Sequence, residues 1–455
     1  MNSITLAAIA DWCGGVLLQG SPSETVTVLS TDSRKLREGD LFLALKGENF
    51  DAHDLLEKAI DAKCSGLVVQ SLNAETESFD GAVIHVRDTL VALQMIAAGY
   101  RRSLKELRVI GVTGSNGKTS TKDFLGGVFA SAGPVNATKG NLNNHIGLPL
   151  TILDTNDFHQ IGVWEMGMNH PGEIEVLAEI ARPDFAVITN VGTAHIEHMK
   201  TRDAIAEEKA ELAMALSPEG VCFMPVADDY FEFVKKRIAC EMISVGIDSG
   251  DISASNLVTG GEGNTTFDLS IPGGESASVT LSVSGRHMVM NALLAAAVAW
   301  KSGIQISDIA DALAAVVLTG GRLQSKSIGG FQILDDTYNA NPDSMRAALR
   351  SMKEFNLEGR RIAVLGKMGE LGEHEESAHK ALGADLKDES VDLLITVGDT
   401  ASLINDGAAD SIPHHHFSTH EEAGHFIREQ ADEKDLILLK GSRSAKMETV
   451  LDSLD

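Results

Sequence analysis

The chain has 455 residues, with 65 Asp plus Glu against 38 Lys plus Arg, a formal charge of -27, 43% hydrophobic residues and 5% aromatics. So large an acidic excess argues against a nucleic-acid or anionic-membrane binder, since those use a basic face to displace counterions or to meet lipid phosphates. At roughly 150 residues per domain, the length predicts about three domains, each able to bury its own core.

No basic tail hides in the sum, because the acidic excess recurs along the whole chain. The longest apolar run, residues 288–300, includes Asn291 and is well short of the roughly 18 to 20 residues of a membrane span. Arg34 is the first basic residue, so the start lacks the charged opening of a signal peptide. Cys13, Cys64, Cys222 and Cys240 form no CxxC pair. A soluble cytoplasmic protein with free thiols is the expected reading.

Apolar, β-prone runs at 40–45, 108–112, 161–164, 185–189, 361–365, 393–397 and 436–439 alternate with helical patterns. That alternation predicts an α/β protein built on parallel sheets, and ligands of open α/β sheets bind outside the carboxyl ends of the strands. Residues 246–285, rich in Gly, Ser and Thr, predict an antiparallel flank to the middle of the chain, with a helix over 288–300 after it. His414, His415 and His416 are expected in a surface loop rather than at a metal.

Chemistry concentrates first in residues 108–125, RVIGVTGSNGKTSTKDFL. A β-branched strand runs into Gly114, Ser115, Asn116, Gly117, Lys118, Thr119 and Ser120, and a helix opens there. Such glycines let backbone N–H groups approach phosphate, the helix N-terminus favours anions, the Lys supplies a cation and the Thr hydroxyl can meet Mg²⁺. The strict P-loop pattern fails only in that Val112 stands where its first Gly would be.

Later sites are less decisive by themselves. Glu165 and His195, in or just after strand ends, suit either a hard-cation site or a solvated loop carboxylate and a capping or packing histidine. Lys209, beside Glu207 and Glu208 on an amphipathic helix, reads by pattern as solvated or ion-paired. His287 and Asn291 share a helix face, where the amide could read a base edge or be satisfied internally. In residues 331–345, FQILDDTYNANPDSM, Asp336 could take ribose hydroxyls and Tyr338 could stack on a base, while Asn-Pro-Asp-Ser reads as a turn and helix start.

Together these segments, with TDSRKLREGDLFLALKGENFDAHD, KGNLNNHIGLPLTIL, WEMGMNHPGEIE, ITNVGTAHIEH, GRLQ, LGKMGELGEHE and KGSRSAKME, resemble the Mur ligase family over nearly the whole chain. The resemblance implies three domains: 1–86 binding a UDP-linked substrate, 87–318 a central P-loop-type ATPase sheet, and 319–455 a Rossmann-like domain closing over the nucleotide. It implies ATP-dependent amide formation through an acyl phosphate, with UDP-N-acetylmuramoyl-tripeptide and D-alanyl-D-alanine as substrates. No nucleic acid or membrane partner is expected, and a monomer is.

Carried over residue by residue, the resemblance gives Lys118 and Thr119 the β/γ-phosphates and Mg²⁺, Glu165 the same ion, and His195 a second. Lys209 would be carbamylated by CO₂ and become an anionic metal ligand. Asn291 would hold adenine, Arg322 the γ-phosphate, Asp336 the ribose, and Tyr338 and Asn339 the surroundings of the base. Ser33, Arg34 and Gly47 would meet the uridine diphosphate, with Asn143 and Asn144 near the muramoyl-peptide. Departures from the family pattern, at Ala52, Lys63 to Ser65, His145 and Met288, touch no metal or phosphate ligand.

Overall fold

The computed structural model describes residues 1–47, 49–260 and 263–454. It divides into two compact units: residues 1–111, 133–167 and 172–184 form one, and residues 112–132, 168–171 and 185–455 the other. The chain passes from the first to the second inside strand Arg108–Thr113.

In the first unit, a five-stranded sheet has the order Val16–Gln19, Ala82–His85, Gly66–Val69, Leu41–Leu43, Leu29–Ser30. Only the Val16–Gln19 edge pairs antiparallel. Strand Gly66–Val69 is buried at every position, which is why it reads as an unbroken apolar run and not as alternation. Strands Val135–Ala137 and Ile161–Glu165 pair in parallel. Fully buried Trp164 donates its indole N–H to Asn136 Oδ1 at 2.8 Å.

In the second unit, strands Phe185–Ile188, Val221–Pro225 and Glu241–Ile247 run parallel. Ile252–Thr259, Thr265–Ser270 and Ser276–Leu281 form the expected antiparallel flank. The next helix is Arg286–Lys301, longer at both ends than the apolar run suggested. Its ends carry a half-buried His287 and a basic Lys301 that complements the helix dipole.

A six-stranded sheet follows, in the order Gln324–Ile328, Phe331–Asp336, Leu436–Lys440, Arg361–Leu365, Leu393–Val397, His414–Phe417. All its pairings except the first are parallel. The predicted runs at 361–365 and 393–397 coincide with strands. The histidine triplet is a correction: it lies in edge strand His414–Phe417, not in a loop. His415 packs on Phe426 with ring centroids 4.4 Å apart, and its apolar face gives that strand a hold on the neighbouring helix. All four cysteines are free thiols, and no helix among the described residues is long and apolar enough to cross a membrane.

Candidate active site

The loop after strand Arg108–Thr113 is shaped by two glycines that nothing else could replace. Gly117 has φ +81°, and a Cβ there would meet Asn291 Oδ1 at 2.5 Å; Gly114 has φ +149°, and a Cβ would fall 1.8 Å from Thr189 Oγ1. A side chain is thus excluded by backbone conformation and by space together.

Asn190, at the end of a neighbouring strand, laces the loop. Its Nδ2 donates to Asn116 O (2.9 Å), its Oδ1 accepts from Asn116 N (3.0 Å), and its carbonyl accepts from Ser115 N (3.0 Å). Gly192 N donates to Ser115 Oγ at 2.9 Å, and Asn341 Nδ2 donates to Asn116 Oδ1 at 2.8 Å. With these groups committed to holding the loop, the first turn of helix Lys118–Ala130 is what presents N–H groups and a positive dipole end. Lys118 Nζ donates to Gly114 O at 2.7 Å, and Thr119 and Ser120 are buried beside it.

Arg322 meets this helix start. Its Nη2 donates to Thr119 Oγ1 at 2.9 Å, and its guanidinium carbon lies 4.2 Å from the centre of the Tyr338 ring. The ring face that sequence reasoning offered to a base therefore carries a cation. Arg322 Nε is buried with no hydrogen-bond partner. An unpaired buried N–H costs about 1–3 kcal/mol, and an anion placed here would satisfy it.

Asp336 is held from two sides: Lys440 Nζ donates to Oδ2 at 2.6 Å and Leu323 N to Oδ1 at 3.2 Å. Each oxygen keeps capacity for another donor such as a hydroxyl. Lys440, only 2% exposed, also donates to Asn339 O at 2.9 Å, while the Asn339 side-chain oxygen accepts from Ala340 N at 2.9 Å. Burial, outweighing nearby Asp336, pushes the His287 imidazole down to about 4, so this histidine is neutral at physiological pH. Asn291 is 4% exposed and its Nδ2 has only a long contact to Met288 Sδ, 3.8 Å, which leaves the amide underused.

Lys209 lies on helix Arg202–Met214 and is 1% exposed, which overturns the solvated reading. Burial first, and then the field of Lys118, holds its ammonium well below the usual lysine range, against the opposing pull of Glu208. The ammonium is therefore disfavoured relative to that of an exposed lysine. His195 occupies the cap position of the short helix Ile196–Met199 with φ +64° and makes no side-chain cap bond, so the capping reading fails. Its Nδ1 lies 2.5 Å from Glu370 Oε2.

In the other unit, Glu165 is 3% exposed; its Oε1 accepts from Asn143 Nδ2 at 2.8 Å and its N–H donates to Thr138 Oγ1 at 2.9 Å. Asn144 Oδ1 accepts from Gly147 N at 2.8 Å and Ile146 N at 3.2 Å, starting helix Gly147–Leu153. Ser33 is half-buried, and Gly47 N donates to Phe50 O at 2.8 Å. Arg34 forks onto Asp32, with Nε to Oδ1 at 2.8 Å and Nη2 to Oδ2 at 2.9 Å, and so pulls the Asp32 carboxyl down to about 2. Part of the basic cluster that sequence reasoning gave to a pyrophosphate is thus spent on an internal carboxylate.

Sequence reasoning missed Asn341, Lys440 and Glu370 as partners of these groups. A charged residue closing an apolar strand was the available signal for Lys440. For Asn341 and Glu370 no local pattern points across more than a hundred residues to their partners.

Comparison with known proteins gives the family. Three family models match: the Mur ligase family catalytic domain over residues 25–101, the Mur ligase middle domain over 112–299, and the Mur ligase glutamate ligase domain over 321–443. The chain is 37% identical to the UDP-N-acetylmuramoyl-tripeptide–D-alanyl-D-alanine ligase of Bacillus subtilis, covering 99% of this chain and 98% of that one. The crystal structure of MurF from Acinetobacter baumannii is similar with a TM-score of 0.93 and 34% identity, over 100% and 99% of the two chains. MurF of Thermotoga maritima in complex with ADP is similar with a TM-score of 0.85 and 28% identity, over 94% and 96%. This chain belongs to the Mur ligase family.

Proposed function

We propose that this protein uses ATP to join the amine of D-alanyl-D-alanine to the terminal carboxylate of UDP-N-acetylmuramoyl-tripeptide, releasing ADP and phosphate, as the names of its full-length relatives imply. The observation that carries the phosphoryl-transfer half is Arg322: a half-buried guanidinium on the Thr119 hydroxyl, with its buried Nε–H left for an anion. The glycine cradle at Gly114 and Gly117 suits a phosphate chain for the same reason that it excludes a Cβ.

In this reading, residues 1–86 take the UDP-linked substrate through Ser33, Arg34 and Gly47, and Asn143 and Asn144 serve its peptidyl end. Residues 87–318 hold ATP through Gly114 to Ser120 and Asn291, and residues 319–455 supply Arg322, Asp336, Tyr338 and Asn339. Attack of a carboxylate on a phosphoryl group brings two anions together, so cations must absorb charge. Lys118 and Arg322 supply two of them. The hydroxyl of Thr119, with His195 and Lys209, would hold Mg²⁺, which when bound neutralises the phosphate oxygens.

Lys209 becomes suitable for such a site by losing its charge. Its neutral amine adds to the carbon of CO₂: the N–C bond forms as the π pair of one C=O moves onto oxygen, and one N–H proton leaves to solvent, so an ammonium is replaced by a carboxylate-like carbamate. Burial that disfavours the ammonium favours this exchange once a cation is there to pair with the anion.

The reading is tested by measuring phosphate release with UDP-N-acetylmuramoyl-tripeptide, ATP and a series of amines. Turnover is expected with D-alanyl-D-alanine. Turnover with glutamate, lysine or diaminopimelate in its place would move the protein to another amide-ligase activity.

A further inference from the structure

We infer that Tyr338 is a positioning residue for Arg322: its ring face holds the guanidinium against the start of helix Lys118–Ala130, and the inference rests on the reading of Arg322 as the γ-phosphate cation. The Arg322 guanidinium carbon lies 4.2 Å from the centre of the Tyr338 ring, and its Nη2 donates to Thr119 Oγ1 at 2.9 Å. A planar guanidinium on a ring face keeps its fork of N–H groups in one plane. The ring thereby fixes the direction of the donors as well as the place of the charge.

The backbone brings the two residues together from both sides. Gln324 pairs with Asp335 in the antiparallel ladder of Gln324–Ile328 and Phe331–Asp336. Bonding continues past that pair: Leu323 N donates to Asp336 Oδ1 at 3.2 Å, and Tyr338 N to Gly321 O at 3.2 Å. Arg322 is thus clamped through both of its chain neighbours by the segment that carries Tyr338. Those neighbours take left-handed conformations, Gly321 at φ +70° and Leu323 at φ +50°. Leu323 is 1% exposed, and a bulky residue at positive φ is strained. Lys440 steadies the other side of the clamp, donating to Asp336 Oδ2 at 2.6 Å and to Asn339 O at 2.9 Å, on either side of Tyr338.

This contact supplies orientation more than core packing. Both side chains are half-buried, and Arg322 Nε is buried with no hydrogen-bond partner. An arginine held only for stability would be expected to use that N–H. The ring face that carries the cation is closed to a purine, so Tyr338 acts on the phosphate end of the nucleotide and not on its base.

The test measures turnover with ATP and both co-substrates, and ADP affinity by calorimetry, in the full-length enzyme. ADP carries the base and ribose but no γ-phosphate, so it separates the two ends of the nucleotide. Wild type is compared with Tyr338→Leu, Tyr338→Gln, Tyr338→Phe, Arg322→Met and Tyr338→Leu/Arg322→Met, with thermal melting as a check of folding. The two variants without a ring are expected to lose about 10-fold in turnover, equivalent to about 1.4 kcal/mol and within the range of a ring–cation contact. Their ADP affinity should stay within about two-fold of wild type. Tyr338→Phe keeps the ring face and is expected to lose no more than about three-fold in turnover. The double variant should turn over no more slowly than Arg322→Met, because Tyr338 acts through that guanidinium. A fall in ADP affinity matching the fall in turnover would overturn the inference and return the ring to the base. Equal losses in Tyr338→Phe and Tyr338→Leu, additive losses in the double variant, or wild-type turnover in both ring-less variants would also overturn it. Wild-type turnover in Arg322→Met would instead overturn the phosphate reading beneath it.

Discussion

Burial decides what Lys209 can do. An exposed lysine beside two glutamates would be a protonated surface group, whereas Lys209 is 1% exposed and its ammonium is disfavoured by burial and by Lys118. Its position was partly legible: Lys209 follows Ile205 by four residues and precedes Leu212 by three, so helical spacing puts it on the apolar face. The acidic neighbours obscured that. Replacement by Ala is expected to cut turnover at least 100-fold while leaving ATP binding within a few-fold, and short carboxylic acids added to the assay should restore part of the rate by standing in for the carbamate. The rate of the Lys209→Ala enzyme with and without acetate checks this; undiminished turnover would remove the carbamate from the account.

At the scale of elements, the loop between strand Arg108–Thr113 and helix Lys118–Ala130 shows why a motif that departs from the strict pattern still folds into a glycine-shaped turn at a helix start. Val112 is buried within the strand, so the position where the pattern wants Gly belongs to the sheet. The demand for glycine falls on Gly114 and Gly117. Gly117→Ala would force a Cβ into the left-handed region, at about 1–2 kcal/mol, and against Asn291 Oδ1 at 2.5 Å. The apparent KM for ATP is expected to rise at least 10-fold, and Gly117→Ala/Asn291→Ala to recover only part of it, because the second change relieves the contact but not the backbone. A KM within two-fold of wild type for Gly117→Ala would show that the close approach does not shape the nucleotide site. The strands were legible because their apolar runs are buried on both faces. The edge strand His414–Phe417 was not, since three histidines carry no apolar run and its aromatic packing partner, Phe426, comes from a later helix.

For the whole molecule, the charge of -27 first excluded polyanionic partners, yet the proposed substrates are themselves polyanions. Long-range steering opposes them and is screened beyond roughly 8 Å at physiological salt, so attraction has to be local. The structure supplies such local charge in Lys118, Arg322 and the start of helix Lys118–Ala130. What holds these together was beyond sequence patterning: Asn341 on Asn116, Glu370 on His195, and Asp343 Oδ2 accepting from Thr193 N at 2.8 Å and Thr193 Oγ1 at 2.9 Å. Local periodicity carries no information about pairs so distant in the chain. The cap was legible in Asn-Pro-Asp-Ser, and Asn341 does cap helix Pro342–Lys353 through Ser344, but its amide nitrogen also donates to Asn116 Oδ1. The central claim, an ATP-driven amide ligase for a dipeptide, is tested most directly by mass spectrometry of the UDP-linked product after incubation with ATP, Mg²⁺, UDP-N-acetylmuramoyl-tripeptide and D-alanyl-D-alanine. The account predicts a UDP-linked pentapeptide formed one for one with ADP; ADP without the pentapeptide, or nucleotide binding with neither product, would contradict it.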